Sequence, residues 1–197
     1  MPKGVPLTEV QIQQQRRMIY KAAIQLFQQK GFYETSMREI ATAAKVGKST
    51  LYDYFKSKDE ILVSYFITEI LDLKKRAEEI CLQELSSTEK IQRIMKMHLA
   101  YLLSQKQTFL RLSLEAQRLP LESQDQIQAV RHSYQDMIRA LVEEGVGRGE
   151  FRPVNPLITA RSIMALLSIV TYTARPTGTP EEMLDQVMSI LFTGIQA

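Results

Sequence analysis

The stretch Ser36–Glu60, SMREIATAAKVGKSTLYDYFKSKDE, leaves the chain the fewest folding options. Ser36 and Glu39 have the Ser-x-x-Glu spacing of a capping box, which opens a helix by satisfying its free N–H groups. Ile40, Ala43 and Ala44 recur at helical spacing and give that helix one apolar side. The side is made mostly of small residues, so a second helix can cross it closely. Lys45, Val46 and Gly47 break the run, and Gly47 caps the next helix, a little less well than Ser would. Lys48 to Phe55 then turns Leu51 and Phe55 inward and leaves Lys48, Ser49 and Tyr52 facing out. Ser57 and Glu60 form a second capping box with Lys58 in its first turn. Two short helices joined by a tight corner, the second with a polar outer face, make the layout of a helix-turn-helix. The second helix of such a unit enters the major groove of DNA.

The rest of the chain reads as helix after helix. Thr8 to Lys30 forms the first, with Gly31 as its stop and Phe32 tucked beneath the turn. A long helix from Lys58 to about Leu82 follows the second capping box. Ser86 to Glu89 mark a break and another cap. Apolar spacing through Ile91, Ile94, Met95, Leu99 and Leu102 predicts the next helix, Gln105 to Gln107 a short connection, and Phe109 to Leu119 another helix, with Pro120 ending it or starting the following turn. Ser123 to about Glu144 is long and periodic. Gly145, Gly147 and Gly149 loosen the chain, and Asn155-Pro156 starts a helix with a good cap and Pro at its first position. Thr179-Pro180-Glu181-Glu182 opens the last. With no strand, repeat or low-complexity segment, the reading is all-α with about nine helices.

The chain has 197 residues, 45% of them hydrophobic, enough for a substantial core. Its formal charge of +3 is unevenly placed. Residues 1–60 hold ten Lys and Arg against six Asp and Glu, a net of +4, and the remainder hold fifteen against sixteen, a net of −1. The positive excess lies with the helix-turn-helix, as phosphate contact requires, although a solvated charged face gives the same asymmetry. Cys81 is the only cysteine, so no internal disulfide is possible, in keeping with a reducing cytoplasm. No stretch has the length of a membrane span. Met1 to Thr8 lacks a hydrophobic signal core, and Pro2, Gly4 and Pro6 predict a flexible arm there. An enzyme finds little support: there is no Gly-rich phosphate loop after a strand, no Ser-His-Asp context and no isolated carboxylate pair. A helical adaptor remains as the alternative, though it has no need of the TLYDYF segment.

The pieces AAIQLFQQKGFYETSMREIA and STLYDYFKSKDEIL carry a resemblance. Met18 to Leu62 resembles the N-terminal domain of TetR-type transcriptional regulators. The resemblance implies a helix-turn-helix DNA-binding domain over 1–57 and a helical ligand-binding and dimerisation domain over 58–197. It implies a homodimer built through the last two helices, a double-stranded operator as partner and a small-molecule inducer. Base contacts fall on Lys48, Ser49 and Tyr52. Thr50, Tyr54 and Lys58 fall where the family holds phosphates, Ser36 both caps and contacts phosphate, and Arg38 reaches a base or a phosphate. For Tyr52 and Tyr54 the alternative is packing against the first helix. For the lysines it is ordinary surface charge. Asp53 either accepts from a cytosine or pairs with a nearby Lys. The family usually has Gly where Lys45 stands, so the corner is expected to carry left-handed backbone. Gly47 replaces the usual Ser, and Ser49 replaces a frequent Gly.

The ligand is less readable. Met95, His98, Leu102, Phe109, Tyr134, Met137, Met164 and Tyr172 either line an adaptable apolar pocket or simply pack a core. Arg161 interrupts an apolar run, ITARSIMALLSIV, and meets an anionic head group, an inter-subunit partner or solvent. A largely hydrophobic inducer is expected, an acyl chain or a flat aromatic. His98 and His132 are too far apart for a local metal motif, so no metal or cofactor is expected. The last two helices are apolar on broader faces than one contact needs. Burial by a second copy explains that, and a monomer core that absorbs both is the alternative.

Overall fold

The computed structural model describes residues 8–196. The flexible arm expected at Pro2, Gly4 and Pro6 lies outside the described residues. Eight helices follow in order: α1 (Glu9–Lys30), α2 (Met37–Ala43), α3 (Lys48–Tyr54), α4 (Lys58–Cys81), α5 (Ser87–Ala116), α6 (Leu121–Gly147), α7 (Pro156–Tyr172) and α8 (Pro180–Ile195). The only extended pairing among the described residues is a lone antiparallel bridge between Phe151 and Gln196. No helix among them is long and apolar enough to cross a membrane.

The expected break at Gln105–Gln107 is absent, which is why eight helices stand where about nine were expected. α5 runs through it for 30 residues. Gln and Lys are good helix formers, and the segment holds neither Gly nor Pro. Ser104 turns its hydroxyl back to the Tyr101 carbonyl (2.8 Å) instead of capping a new helix. Polarity alone does not end a helix.

The chain forms two compact units. One takes residues up to Thr68 together with Leu110–Ile127; the other takes Glu69–Phe109 and everything from Gln128. In the first unit, α1 opens with a capping box in which Thr8 and Gln11 bond reciprocally. It buries Ile19, Tyr20, Ala23, Ile24 and Phe27. Gly31 ends it at φ 105°, a conformation that side chains rarely adopt. Phe32 then packs edge-on to Phe27, ring centroids 4.9 Å apart. α2 begins with the expected box: the Ser36 Oγ accepts the Glu39 N–H at 3.3 Å, and the Glu39 carboxylate accepts the Ser36 N–H at 2.9 Å. Lys45 makes the corner at φ 55°, the left-handed region expected of it.

The second unit has its own apolar centre. Ile91, Ile94 and Leu99 of α5, Ile138 and Val142 of α6, Ile163 and Leu167 of α7, and Leu184 and Met188 of α8 are all buried there. Phe151 is a keystone. It is 1% exposed, stacks on Phe192 and lies over Gly145, where any Cβ would strike its ring. Arg152 continues the lock, since its backbone N–H bonds the Ile195 carbonyl and its Nε bonds the Gly194 carbonyl, both at 2.8 Å. Asn155 caps α7, and Thr179 with Glu182 caps α8 in a full capping box.

Candidate nucleic-acid interface and ligand core

α3 is seven residues long and starts at Gly47, which offers no side-chain cap. Leu51 and Phe55 are fully buried, so they fix which side of the helix faces the core. Lys48, Ser49 and Tyr52 consequently stand exposed on the outer side, and Thr50 and Tyr54 are half-buried. Of the two tyrosines, Tyr52 is thus the free one and Tyr54 the one that packs. Arg38 on α2 is also exposed, as is Asp53. Among the described residues Asp53 has no ion-pair partner, so the expected pairing with a lysine is not seen.

Ser36 is occupied by its capping box, with its hydroxyl 2.6 Å from the Glu39 carboxylate. Glu39 also pairs with Lys30. These bonds from Lys30 and Ser36 hold the Glu39 carboxyl down at about 2. Lys58 has a structural task that its sequence position did not disclose. Its ammonium donates to the carbonyls of Phe32 (2.7 Å) and Tyr33 (3.1 Å) and lies 4.9 Å from the Phe32 ring centre. An ammonium has three donors, so one remains for a phosphate. The Ser57–Glu60 box is only half formed. Glu60 donates its N–H to the Ser57 hydroxyl at 3.2 Å, but its carboxylate accepts from the Lys56 N–H at 2.6 Å.

Two residues that hold α3 in place went unnoticed in the sequence. The Lys56 Nζ donates to the Tyr52 carbonyl at 2.7 Å. Arg16, from α1, donates to the Tyr54 carbonyl at 2.8 Å. Lys56 sits four residues from its target and was open to local reading. Arg16 lies 38 residues away, and no spacing signal reaches that far.

In the second unit the expected ligand residues separate by burial. Met95, Leu102 and Tyr134 lie in the close-packed core, at 1%, 6% and 3% exposure. Met137 and Met164 pack against that core. Phe109 is half-buried and Arg161 is exposed on α7. His98 meets Tyr134 edge-on at 5.4 Å between ring centroids, with Nδ1 3.4 Å from the hydroxyl. Burial pushes His98 down to about 4, so the imidazole is neutral near pH 7. Burial pushes the Tyr134 phenol well above its usual range. The hydroxyl of Tyr172 and that of its neighbour Thr171 are buried with no partner among the described residues. No group of three potential metal ligands occurs among the described residues.

Comparison with known proteins decides the class. Residues 19–65 match the family described as bacterial regulatory proteins of the tetR family. Residues 84–195 match the tetracyclin repressor-like C-terminal domain. The chain belongs to the TetR family of transcriptional regulators. The uncharacterized HTH-type transcriptional regulator YhgD of Bacillus subtilis is 28% identical over 151 residues, 77% of this chain and 79% of that protein. The fatty acid metabolism regulator protein of Bacillus subtilis is 26% identical over 134 residues, 68% of this chain and 69% of that protein. Among solved structures, the fold matches that of FadR from Bacillus subtilis in complex with stearoyl-CoA. The TM-score is 0.78 at 22% identity, covering 91% of this chain and 99% of that one. The TetR family assignment accounts for the helix-turn-helix of the first unit, and the C-terminal domain match takes in most of the second unit together with residues 110–127 of the first.

Proposed function

We propose that this TetR-family regulator is a repressor that binds a palindromic operator as a homodimer and is released by a largely hydrophobic acyl ligand. Residues 1–57 hold the DNA, and residues 58–197 hold the ligand and the second subunit. The observation that carries the reading is the exposed outer side of α3. There a cation, a hydroxyl and a phenol stand free on a helix whose other side is locked into the core. Lys48 donates to guanine O6 and N7, Ser49 bonds less selectively, and Tyr52 adds a further contact. Thr50, Tyr54 and the remaining donor of Lys58 hold phosphates, with Arg38 beside them, while Ser36 gives its one hydroxyl proton to Glu39 and serves as a cap.

Dimerisation rests on α7 and α8. Ile158 and Ile169 of α7 and Ile190 of α8 are 61%, 55% and 74% exposed in the single chain. Large apolar side chains presented by two neighbouring helices are what a second subunit buries. The ligand assignment draws support from the likeness to a fatty acid metabolism regulator protein of Bacillus subtilis and to the Bacillus subtilis FadR structure solved with stearoyl-CoA. Met95, Leu102, Phe109, Met137 and Met164 give the acyl chain an adaptable lining. The neutral His98, with Tyr134 and Tyr172, supplies the polar atoms that orient its carbonyl. α4 starts in the DNA-binding unit and ends in the ligand-binding one, so displacement at one end reaches the other. A ligand that prefers the wrong spacing of recognition helices by about 1–3 kcal/mol weakens DNA binding roughly 5- to 150-fold. The protein works in the cytoplasm, where its operator lies.

The test is release. Stearoyl-CoA, isovaleryl-CoA and free coenzyme A are titrated into the protein bound to a labelled duplex recovered by selection. An acyl thioester should lower anisotropy while coenzyme A alone should not. Substituting Met137→Trp should abolish release and leave DNA affinity unchanged. Release of the Met137→Trp protein at the same concentration would contradict the ligand location. No release by either thioester would contradict the ligand class.

A further inference from the structure

We infer that Arg16 is a positioning residue for the recognition helix: it brackets the end of α3 between α1 and α4 and so sets the angle at which Lys48, Ser49 and Tyr52 meet the bases. The need for such a bracket follows from the length of α3. Isolated helices below about 12–15 residues are marginal in water, so a seven-residue helix takes its pose from its surroundings. At its start, Gly47 contributes no side-chain bond. The buried Leu51 and Phe55 fix its roll but only weakly resist a change of tilt. The remaining handle is its C-terminal end, where the last carbonyls have no partner within the helix.

Lys56 meets the Tyr52 carbonyl locally, and Arg16 ties this end to other helices, with three interactions at once. One guanidinium nitrogen donates to the Tyr54 carbonyl at 2.8 Å. The guanidinium carbon lies over the Phe55 ring, 4.3 Å from its centre. The other terminal nitrogen stands 3.8 Å from the Glu60 carboxylate in the first turn of α4. Glu60 in turn receives the Lys56 N–H, so the link between α3 and α4 is drawn into the same cluster. A cation at the C-terminal end of a helix also meets the negative pole of its dipole. The guanidinium presents its donors in one fixed plane from a long side chain, a geometry that the shorter, compact ammonium of a lysine at this position does not reproduce. The Arg16 side chain is 29% exposed and its bonds point inward, which separates it from the free lysine of α3. Its role is therefore transmitted through α3 and involves no contact with DNA.

The experiment compares the unaltered protein with Arg16→Met and Arg16→Lys. Each is measured on the duplex that the unaltered protein selects and on a random-sequence duplex, across a salt series. Loss of charged hydrogen bonds should cost Arg16→Met about tenfold in affinity for the selected duplex. Affinity for the random duplex and the salt slope should not change, because no phosphate contact is lost. Arg16→Lys should behave like Arg16→Met, and it carries the test if the methionine variant does not fold. Equal losses on both duplexes, with a slope lower by about one unit per subunit, would make Arg16 a phosphate contact and overturn the inference. Unchanged affinity for the selected duplex would overturn it as well. Amide exchange without DNA gives a second reading that does not depend on the DNA-binding assignment. Exchange should quicken across Lys48–Phe55 and stay unchanged in α2. Equal protection of α3 in all three proteins would refute the bracket even if no duplex were recovered.

Discussion

His98 gives the second unit a pH dependence. Its imidazole, beside the Tyr134 ring, has a folded value of about 4 against an ordinary 6.5, because burial penalises the charged form. As pH falls, the unfolded chain therefore takes up the proton first. Stability is complete above about 6.5 and is lost progressively as pH drops through the folded value. His98→Phe keeps the ring contact and cannot be protonated. Between pH 7 and pH 4 the unaltered protein should lose about 2–3 kcal/mol more than His98→Phe, read from urea midpoints. Equal losses would mean that the imidazole stays hydrated. The two lysines of the DNA-binding unit separate by salt dependence. Lys48→Ala should change preference at particular base pairs, whereas Lys58→Ala should weaken binding to every sequence and lower the salt slope by about one unit per subunit. Lys58→Ala should also lower the melting temperature, since it frees the Phe32 and Tyr33 carbonyls. If both variants lose affinity equally on all sequences, Lys48 is a phosphate contact. At this scale, what the sequence discloses is set by distance along the chain. The Ser36–Glu39 box and the outward side of α3 are local and were legible. The bond from Arg16 to Tyr54 and that from Lys58 to Phe32 join residues far apart, and their geometry appears only once α1, α2 and α4 have packed.

Among the elements, side-chain caps marked helix starts, whereas neither polar composition nor the glycines at 145 and 147 marked where a helix stops. Thr8, Ser36, Asn155 and Thr179 all cap the helices they were expected to open. The Gln105–Gln107 stretch, polar but uncapped, continues α5. The sequence predicts a loosened segment at Gly145, Gly147 and Gly149, yet the first two lie inside α6, and Gly145 sits in its last buried turn as the seat of the Phe151 ring. A methyl group at this position would meet both Phe151 and the Cβ of Ser87, the latter at 3.1 Å. Neither can withdraw, because Phe151 is stacked on Phe192 and Ser87 is fully buried. Overpacking of this kind costs about 1–3 kcal/mol, so Gly145→Ala should lower the thermal midpoint clearly, whereas Gly147→Ala, with open space around it, should not. Equal midpoints for the two variants would show that the Phe151 contact is not tight.

For the molecule as a whole, the all-α class and the helix-turn-helix followed from periodicity and capping boxes, and the family assignment agrees with both. The ligand residues were less legible because methionine and aromatic side chains serve cores and pockets alike, and Met95, Leu102 and Tyr134 are indeed packed into the core. The regulator reading stands or falls on how the protein reads DNA. In the proposed homodimer, two recognition helices related by a two-fold axis would sit about 34–36 Å apart to enter successive major grooves, and the preferred site would mirror that symmetry. The most direct measurement is selection of bound duplexes from a random pool by the 197-residue chain, read as a consensus. An inverted repeat whose half-site centres lie one helical turn, or a multiple of one, apart is the predicted result. A single asymmetric half-site, or no enrichment at all, would contradict it.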